Sequence, residues 1–338
     1  MTGEWEATAR PMRALTLEFV QPRTLALVEI DVPEPRPGEL LVRTLYSGIS
    51  SGTELLAYRG EIDSRLPLDE SISSLGGTFS FPFRYGYGCV GVVERSESSI
   101  KPDTVMFALH PHQDRFLCPA EDAVLLSDVD PRIATLFPLV ETAFQITLDA
   151  GEVLGETVIV VGLGAVGMLT ALLMERAGAR VVGIEPSSWR RGLAAQLDID
   201  AVAPGDVRMA GEAGVPLVVE VSGDPRALAS ALPLLAHEGT ALVASWYGTK
   251  PVNLHLGAEF HRRRLTIRST QVSTIPSWLA GRWTLERRRE HVVHLLGELP
   301  LKRLATHEFP FTRAADAFAA LDRGEEGLMH AALAYGNR

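Results

Sequence analysis

The charge-free stretch at residues 157–174 constrains this chain more than any other. It is long and apolar enough to suggest a membrane helix. Gly162, Gly164 and Gly167 break it, however, after the β-branched run Val158-Ile159-Val160-Val161. A strand buried on both faces, a tight turn and a buried helix give the same apolar sum. Gly162-Leu163-Gly164-Ala165-Val166-Gly167 is then a GxGxxG between a strand and a helix, and Glu185 ends the next strand about twenty positions on. This context predicts a Rossmann dinucleotide site. Gly162 permits the turn and Gly167 permits close helix–strand packing. Gly164, with Ala165 and Val166 in the first helical turn, lets backbone N–H groups meet a pyrophosphate. Glu185 is expected to accept hydrogen bonds from the ribose hydroxyls and to repel a 2′-phosphate, which favours NAD over NADP. Arg190 and Arg191 pull the other way, because an arginine just past this strand can hold that phosphate. The plainer readings are a glycine turn without ligand and a solvated loop acid.

A length of 338 residues points to two domains. Strand-like runs at 14–20, 24–30, 39–47, 88–94 and 105–108, separated by turn-forming residues, predict a small β-barrel or sandwich. Residues 60–82 are polar and Gly/Ser-rich and read as a mobile surface loop; residues 1–10 read as a disordered tail. After Pro131 strands (157–161, 180–184, 217–221, 239–244, 265–269) alternate with helices (to 177, 189–197, 225–235), the pattern of a parallel sheet. Two helices (285–296, 314–323) and a closing strand (330–335) follow.

The net charge of −10 repels nucleic acid and anionic lipid. Cys89 and Cys118 form neither a CxxC nor a disulfide framework, and the N-terminus lacks a signal-peptide stretch, so a cytoplasmic location is expected. Cys89 reads as a core residue. His110-Pro111-His112 reads as a rim loop rather than a metal-ligand pair.

Four motifs, beside the fingerprint, carry a resemblance: Pro37-Gly38-Glu39, Ser51-Gly52-Thr53-Glu54, Tyr85-Gly86-Tyr87-Gly88, and Val90-Gly91-Val92-Val93. Over nearly the whole chain it resembles the medium-chain dehydrogenase/reductase superfamily, the alcohol, sorbitol and threonine dehydrogenase group. The resemblance implies an α/β protein with a GroES-like β-rich catalytic domain (residues 11–135 and 284–338) and a doubly wound Rossmann domain (136–283). It also implies a cleft between them, hydride transfer at a carbonyl or alcohol, and a homodimer. Zinc members carry Cys-Gly-Thr-Asp where this chain has Ser51-Gly52-Thr53-Glu54, and Gly-His-Glu where it has Gly86-Tyr87-Gly88. Phe137 falls near their remaining catalytic ligand, and their four-cysteine lobe is missing. Hydroxyls and a phenyl ring do not form a tetrahedral N/S zinc site, so the chain is similar to a zinc-free branch. Its Ser-x-Gly-Thr-Glu and Tyr-Gly-Tyr pattern is also similar to bacteriochlorophyllide-type and biosynthetic-cluster dehydrogenases.

Without zinc, a side chain must meet the developing alkoxide. The resemblance brings Ser51, Thr53, Tyr87 and Glu141 near the nicotinamide. Tyr87 stands at the metal-binding histidine position and is the expected donor; Thr53 matches the hydroxyl that passes the proton outward; Glu141 is an acid/base or orienting candidate. Each has a plainer role: packing for Tyr87, helix capping for Thr53 with Glu54 in the first turn, and an ion pair with a buried arginine for Glu141. Ser222, Ser245 and Gln271 end strands on the edge where open sheets bind ligands, and are expected cofactor contacts. Trp246, Tyr247, Tyr58 and Trp283 are candidates for an apolar pocket. The leading function is zinc-independent, NAD(H)-dependent oxidation or reduction of a hydroxyl or ketone of a small metabolite. The alternatives are an enoyl reductase and a non-catalytic NAD-binding sensor.

Overall fold

The computed structural model describes residues 12–206 and 214–336; the tail at residues 1–10 lies outside them. The first half contains β1 (Met12–Gln21), β2 (Thr24–Val32), β3 (Glu39–Ile49), α1 (Thr53–Arg59), β4 (Phe83–Arg84), β5 (Cys89–Ser96), β6 (Val105–Ala108), β7 (Arg115–Pro119) and β8 (Val124–Leu125). Then come α2 (Pro131–Ala134), α3 (Phe137–Ala150), β9 (Thr157–Val161), α4 (Ala165–Arg176), β10 (Arg180–Ile184), α5 (Ser188–Ala195), β11 (Asp200–Val202), β12 (Val215–Glu220), α6 (Pro225–Ala231), β13 (Leu235–Val243) and β14 (Thr266–Ser269). The chain returns through α7 (Leu285–Glu298), β15 (His307–Pro310), α8 (Ala314–Asp322) and β16 (Ala331–Ala334).

The central sheet is parallel, in the order β11-β10-β9-β12-β13-β14. β9 sits mid-sheet, and Val158 to Val161 are all buried. A strand covered on both faces carries an unbroken apolar run, which is why the run carried no helical or alternating period. The β-rich part has a three-stranded sheet, β2-β1-β4, and a larger one, β15-β16-β3-β5-β6-β8, with β7 also paired to β3. β16 joins antiparallel to β3, so residues 331–334 complete a sheet begun before residue 50. α7 packs on α3, and its Val292 and Leu296 lie in the same core cluster as Phe137, Val158 and Leu169. Among the described residues no helix is long and apolar enough to cross a membrane.

Two differences from the sequence expectation bear on the site. Helix α3 carries no sequence signal of its own, because Phe137, Pro138, Leu139 and Val140 are all buried and the stripe that marks an amphipathic helix is lost. The stretch 60–82 is a packed segment rather than a loose surface loop: Ile62, Leu68, Leu75 and Phe79 are buried in the cluster that holds Phe19 and Phe318. Its many serines and glycines shape turns around those four anchors.

Candidate cofactor and catalytic site

The turn between β9 and α4 needs its glycines. Gly162 has φ +96°, a left-handed conformation, and a Cβ there would lie 2.6 Å from Ser222 Cα. A Cβ on Gly167 would lie 1.9 Å from the Gly162 carbonyl oxygen. A Cβ on Gly164 would meet nothing within 4 Å, so this backbone is open to a ligand where α4 begins. Gly164 is the N-cap of α4, and no side chain caps the helix. Open N–H groups at a helix N-terminus suit a phosphate, and these residues fit a dinucleotide. Ala165 is buried and Val166 partly buried in the first turn.

Glu185 follows β10 directly and is buried. Its carboxylate accepts the Leu163 N–H at 2.8 Å and the Ser187 N–H at 2.9 Å, so it also braces the glycine turn. Carboxylate oxygens accept more than one bond each, which leaves capacity for ribose hydroxyls. Arg190 lies 3.8 Å from Glu185 and over the Trp189 ring, while Arg191 donates to the Glu185 and Pro186 carbonyls. Ser222 is exposed beside Gly162 and bonds to Glu220, and the Ser245 hydroxyl accepts the Gly223 N–H at 2.8 Å. Glu220 is fully buried and also accepts the Tyr247 hydroxyl at 2.5 Å. Gln271 is exposed and accepts the Ser273 N–H in its own turn.

The β-rich part contributes a second group. Burial, reinforced by the Glu54 charge, pushes the Tyr87 phenol well above its ordinary range, while hydrogen bonds with the Ser50 and Thr53 hydroxyls pull against that rise. The phenol therefore keeps its proton, as a hydrogen-bond donor must. Thr53 does not cap α1: the N-cap is Gly52, without a side-chain cap. Ser51 is half-buried.

Tyr87 packs edge-on against Tyr85 at 5.9 Å, Tyr85 against Phe79 at 5.2 Å, and Phe79 against Trp246 at 5.9 Å. Trp246 follows β13 of the parallel sheet, so this chain of rings links the β-rich part to the parallel sheet. Beside it the Thr249 N–H donates to the Glu61 carbonyl at 2.9 Å, and Lys250 lies 3.7 Å from the Glu61 carboxylate.

Glu141 is engaged elsewhere. It is buried and paired with the equally buried Arg288 at 2.9 Å, with Arg289 at 3.6 Å. Arg288 also donates to Gln145 at 2.6 Å and to the Val272 carbonyl at 2.7 Å. The expected acid/base thus sits in an ion pair that joins α3 to α7, because a carboxylate on the hidden face of α3 needs a cation there. Phe137 is fully buried and stacked on Phe107 at 4.3 Å. Nor do the four pocket aromatics converge: Tyr58 packs on Phe318 at 5.4 Å, and Trp283 on Phe144 at 5.3 Å under the Arg287 guanidinium.

The sequence reading missed a buried polar chain beneath Tyr87. Ser47, Glu54 and His112 have no exposed surface. His112 Nδ1 lies 2.7 Å from Ser47 Oγ and Nε2 lies 2.8 Å from a Glu54 oxygen; Ser47 Oγ is 2.9 Å from the Tyr335 hydroxyl. His112 is therefore not on a rim loop. His110 differs from it: its ring stacks on Phe116 at 4.0 Å, and burial pushes its pKa down to about 4. Cys89 is fully buried, as expected of a core residue.

Residues 165–284 match the model of a family described as "Zinc-binding dehydrogenase". The 2-desacetyl-2-hydroxyethyl bacteriochlorophyllide A dehydrogenase of Cereibacter sphaeroides is 26% identical over 327 residues, covering 91% of this chain and 94% of the relative. An L-threonine 3-dehydrogenase of Pyrococcus horikoshii is 26% identical over 336 residues, covering 89% and 93%. The crystal structure of L-idonate 5-dehydrogenase from Escherichia coli superposes with a TM-score of 0.79 at 17% identity, covering 96% of this chain and 98% of the other.

Proposed function

We propose that this chain, a dehydrogenase of the medium-chain superfamily, interconverts a hydroxyl and a ketone on a small metabolite, using NAD(H) and no zinc. The observation that carries the reading is the placement of Tyr87, whose ring begins the Tyr87–Tyr85–Phe79–Trp246 bridge from the β-rich part to the end of β13. NAD(H), when bound, supplies or receives the hydride. Tyr87 donates a hydrogen bond to the substrate oxygen where negative charge develops, the role a metal otherwise fills. Thr53 and Ser50 fix the phenol's direction and give its proton a path away from the substrate. Glu141, tied to Arg288, acts as scaffold in this reading.

Zinc independence rests on donor chemistry. Ser51 and Tyr87 offer neutral oxygens, and Phe137 faces Phe107 in the core. The family match over residues 165–284 leaves all three positions outside it. The preference for NAD rests on Glu185, whose buried charge would repel a 2′-phosphate. Gly164, Ala165, Val166, Ser222 and Ser245 line the proposed phosphate and nicotinamide path, with Gln271 at its outer rim. The proposed working unit is a homodimer in the cytoplasm. β14 ends the parallel sheet and offers an edge for a partner, and both cysteines are free.

A panel of alcohols, ketones and enones read by NADH fluorescence tests the reaction class. Turnover of an alcohol–ketone pair supports it; turnover of enones alone, or of nothing, overturns it. Elemental analysis of chelator-free protein tests the metal claim. About one zinc per chain, with activity lost on its removal, would sink it.

A further inference from the structure

We propose that His112 is a positioning residue for Tyr87: clamped between Glu54 and Ser47, it locks residues 47–54 to residues 85–87. The inference deepens the zinc-independent reading above and rests on it.

His112 touches both segments by four routes. Its Nε2 meets Glu54 at 2.8 Å and its Nδ1 meets Ser47 at 2.7 Å. Its backbone N–H donates to the Tyr85 carbonyl at 3.3 Å. Its ring lies on bare backbone: a Cβ on Gly86, the residue before Tyr87, would come within 2.7 Å of His112 Cδ2. Glu54 carries the lock to the hydroxyls around Tyr87. Its carboxylate accepts the Ser50 N–H at 2.9 Å while its own N–H donates to the Ser50 carbonyl at 3.0 Å. Glu54 thus ties together the segment that carries the Ser50 and Thr53 hydroxyls. One proton arrangement satisfies every atom: Tyr335 donates to Ser47, Ser47 to Nδ1, and Nε2–H to Glu54.

Two plainer accounts fit less well. Ser47, His112 and Glu54 have the connectivity of a nucleophile, base and acid, but Ser47 has no exposed surface and its oxygen is also tied to Tyr335, so no substrate reaches it. Stability alone does not call for such a trio, since a buried carboxylate and its polar partners must first recover their desolvation cost. A carboxylate and an imidazole with no exposed surface, each bonded on both sides, instead serve register.

Protein labelled with 3-fluorotyrosine tests the lock by ¹⁹F NMR, the Tyr87 signal being assigned with Tyr87→Phe. His112→Asn keeps an amide near Ser47 but falls short of Glu54; His112→Gln reaches Glu54. The expected result is a shifted or broadened Tyr87 signal in His112→Asn, restored in part by His112→Gln. On a substrate found by the panel, kcat should fall about 10- to 100-fold in His112→Asn, as when a group orienting a catalytic centre is lost, with unchanged NADH affinity. A Tyr87 signal unmoved in folded His112→Asn overturns the proposal, and so does equal loss of kcat and NADH affinity, which marks general damage. If no substrate is turned over, the functional reading fails, and the ¹⁹F signal still judges the lock. If both variants fail to fold, wild-type protein labelled with ¹⁵N-histidine decides. An imidazole near the Gly86 α-protons with both nitrogens hydrogen-bonded and a slowly exchanging proton supports the lock; a rapidly exchanging one overturns it.

Discussion

The glycine turn at residues 162–167 and the polar group around Tyr87 are built in opposite ways. The first is contiguous, made of backbone, and defined by missing side chains: Gly162 and Gly167 cannot carry a Cβ, and Gly164 leaves its approach open. The second is made of side chains from residues 47–54, 85–87, 112 and 335, which meet only when the β-rich sheets close. Glu185 belongs to the first group although it lies beyond α4, because it accepts the Leu163 N–H and holds the turn. The difference teaches that binding a common cofactor requires a backbone shape, whereas handling a particular substrate requires chosen side chains on a scaffold that tolerates exchange.

Four substitutions break or sharpen the contrast. The largest effect is expected at Glu141, which the contrast places in neither group. Glu141→Leu strands the buried Arg288 charge and should destabilise the fold by about 3–5 kcal/mol, read from the denaturant midpoint. If stability holds and only kcat falls, Glu141 belongs with Tyr87 after all.

Next comes Tyr87→Phe, which removes one oxygen and keeps the ring against Tyr85. With a substrate identified, kcat should drop about 100- to 1,000-fold with NADH affinity nearly constant. Near wild-type kcat would reduce the side-chain group to scaffold.

Glu185→Ala should weaken NAD binding by about 1.5–3 kcal/mol and relax discrimination against NADP. Calorimetric titration checks both. Because Glu185 also braces the turn, the loss should extend to ADP-ribose, which lacks the nicotinamide; an effect confined to nicotinamide-bearing ligands would separate Glu185 from the glycine turn.

The smallest effect is expected at Arg190. Its 3.8 Å pair with Glu185 is partly solvated, so Arg190→Ala should change NAD affinity by less than about 1 kcal/mol. A large loss of NADP binding in the same titration would instead make Arg190 the phosphate reader.

The same contrast governs what the sequence reveals. β9 and β10 are read to the residue, at 157–161 and 180–184, because fully buried strands between turn residues leave few alternatives. The fingerprint is equally legible, since its spacing is local. Helix α3 is hidden because its whole first turn is buried and no residue along it is fully exposed. The stretch 60–82 looks loose because four apolar anchors are diluted among serines and glycines. The Glu54–His112–Ser47–Tyr335 chain is invisible for a different reason: its members are scattered over nearly 290 positions, and nothing local to a buried histidine tells its partner. Glu141 illustrates the converse, for resemblance puts it near the nicotinamide, while Arg288, the partner it pairs with, lies 147 positions away.

The pairing of β16 with β3 has a consequence for the order in which the protein is made. Residues 331–335 leave the ribosome after the entire parallel sheet, yet they supply the neighbour of β3 and the hydroxyl that meets Ser47. During synthesis the glycine turn and its strands can find one another while the β-rich part still waits with an open edge beside β3. An open edge is a template for wrong pairing, so the nascent chain is most exposed to aggregation in the interval between the emergence of β14 and that of β16.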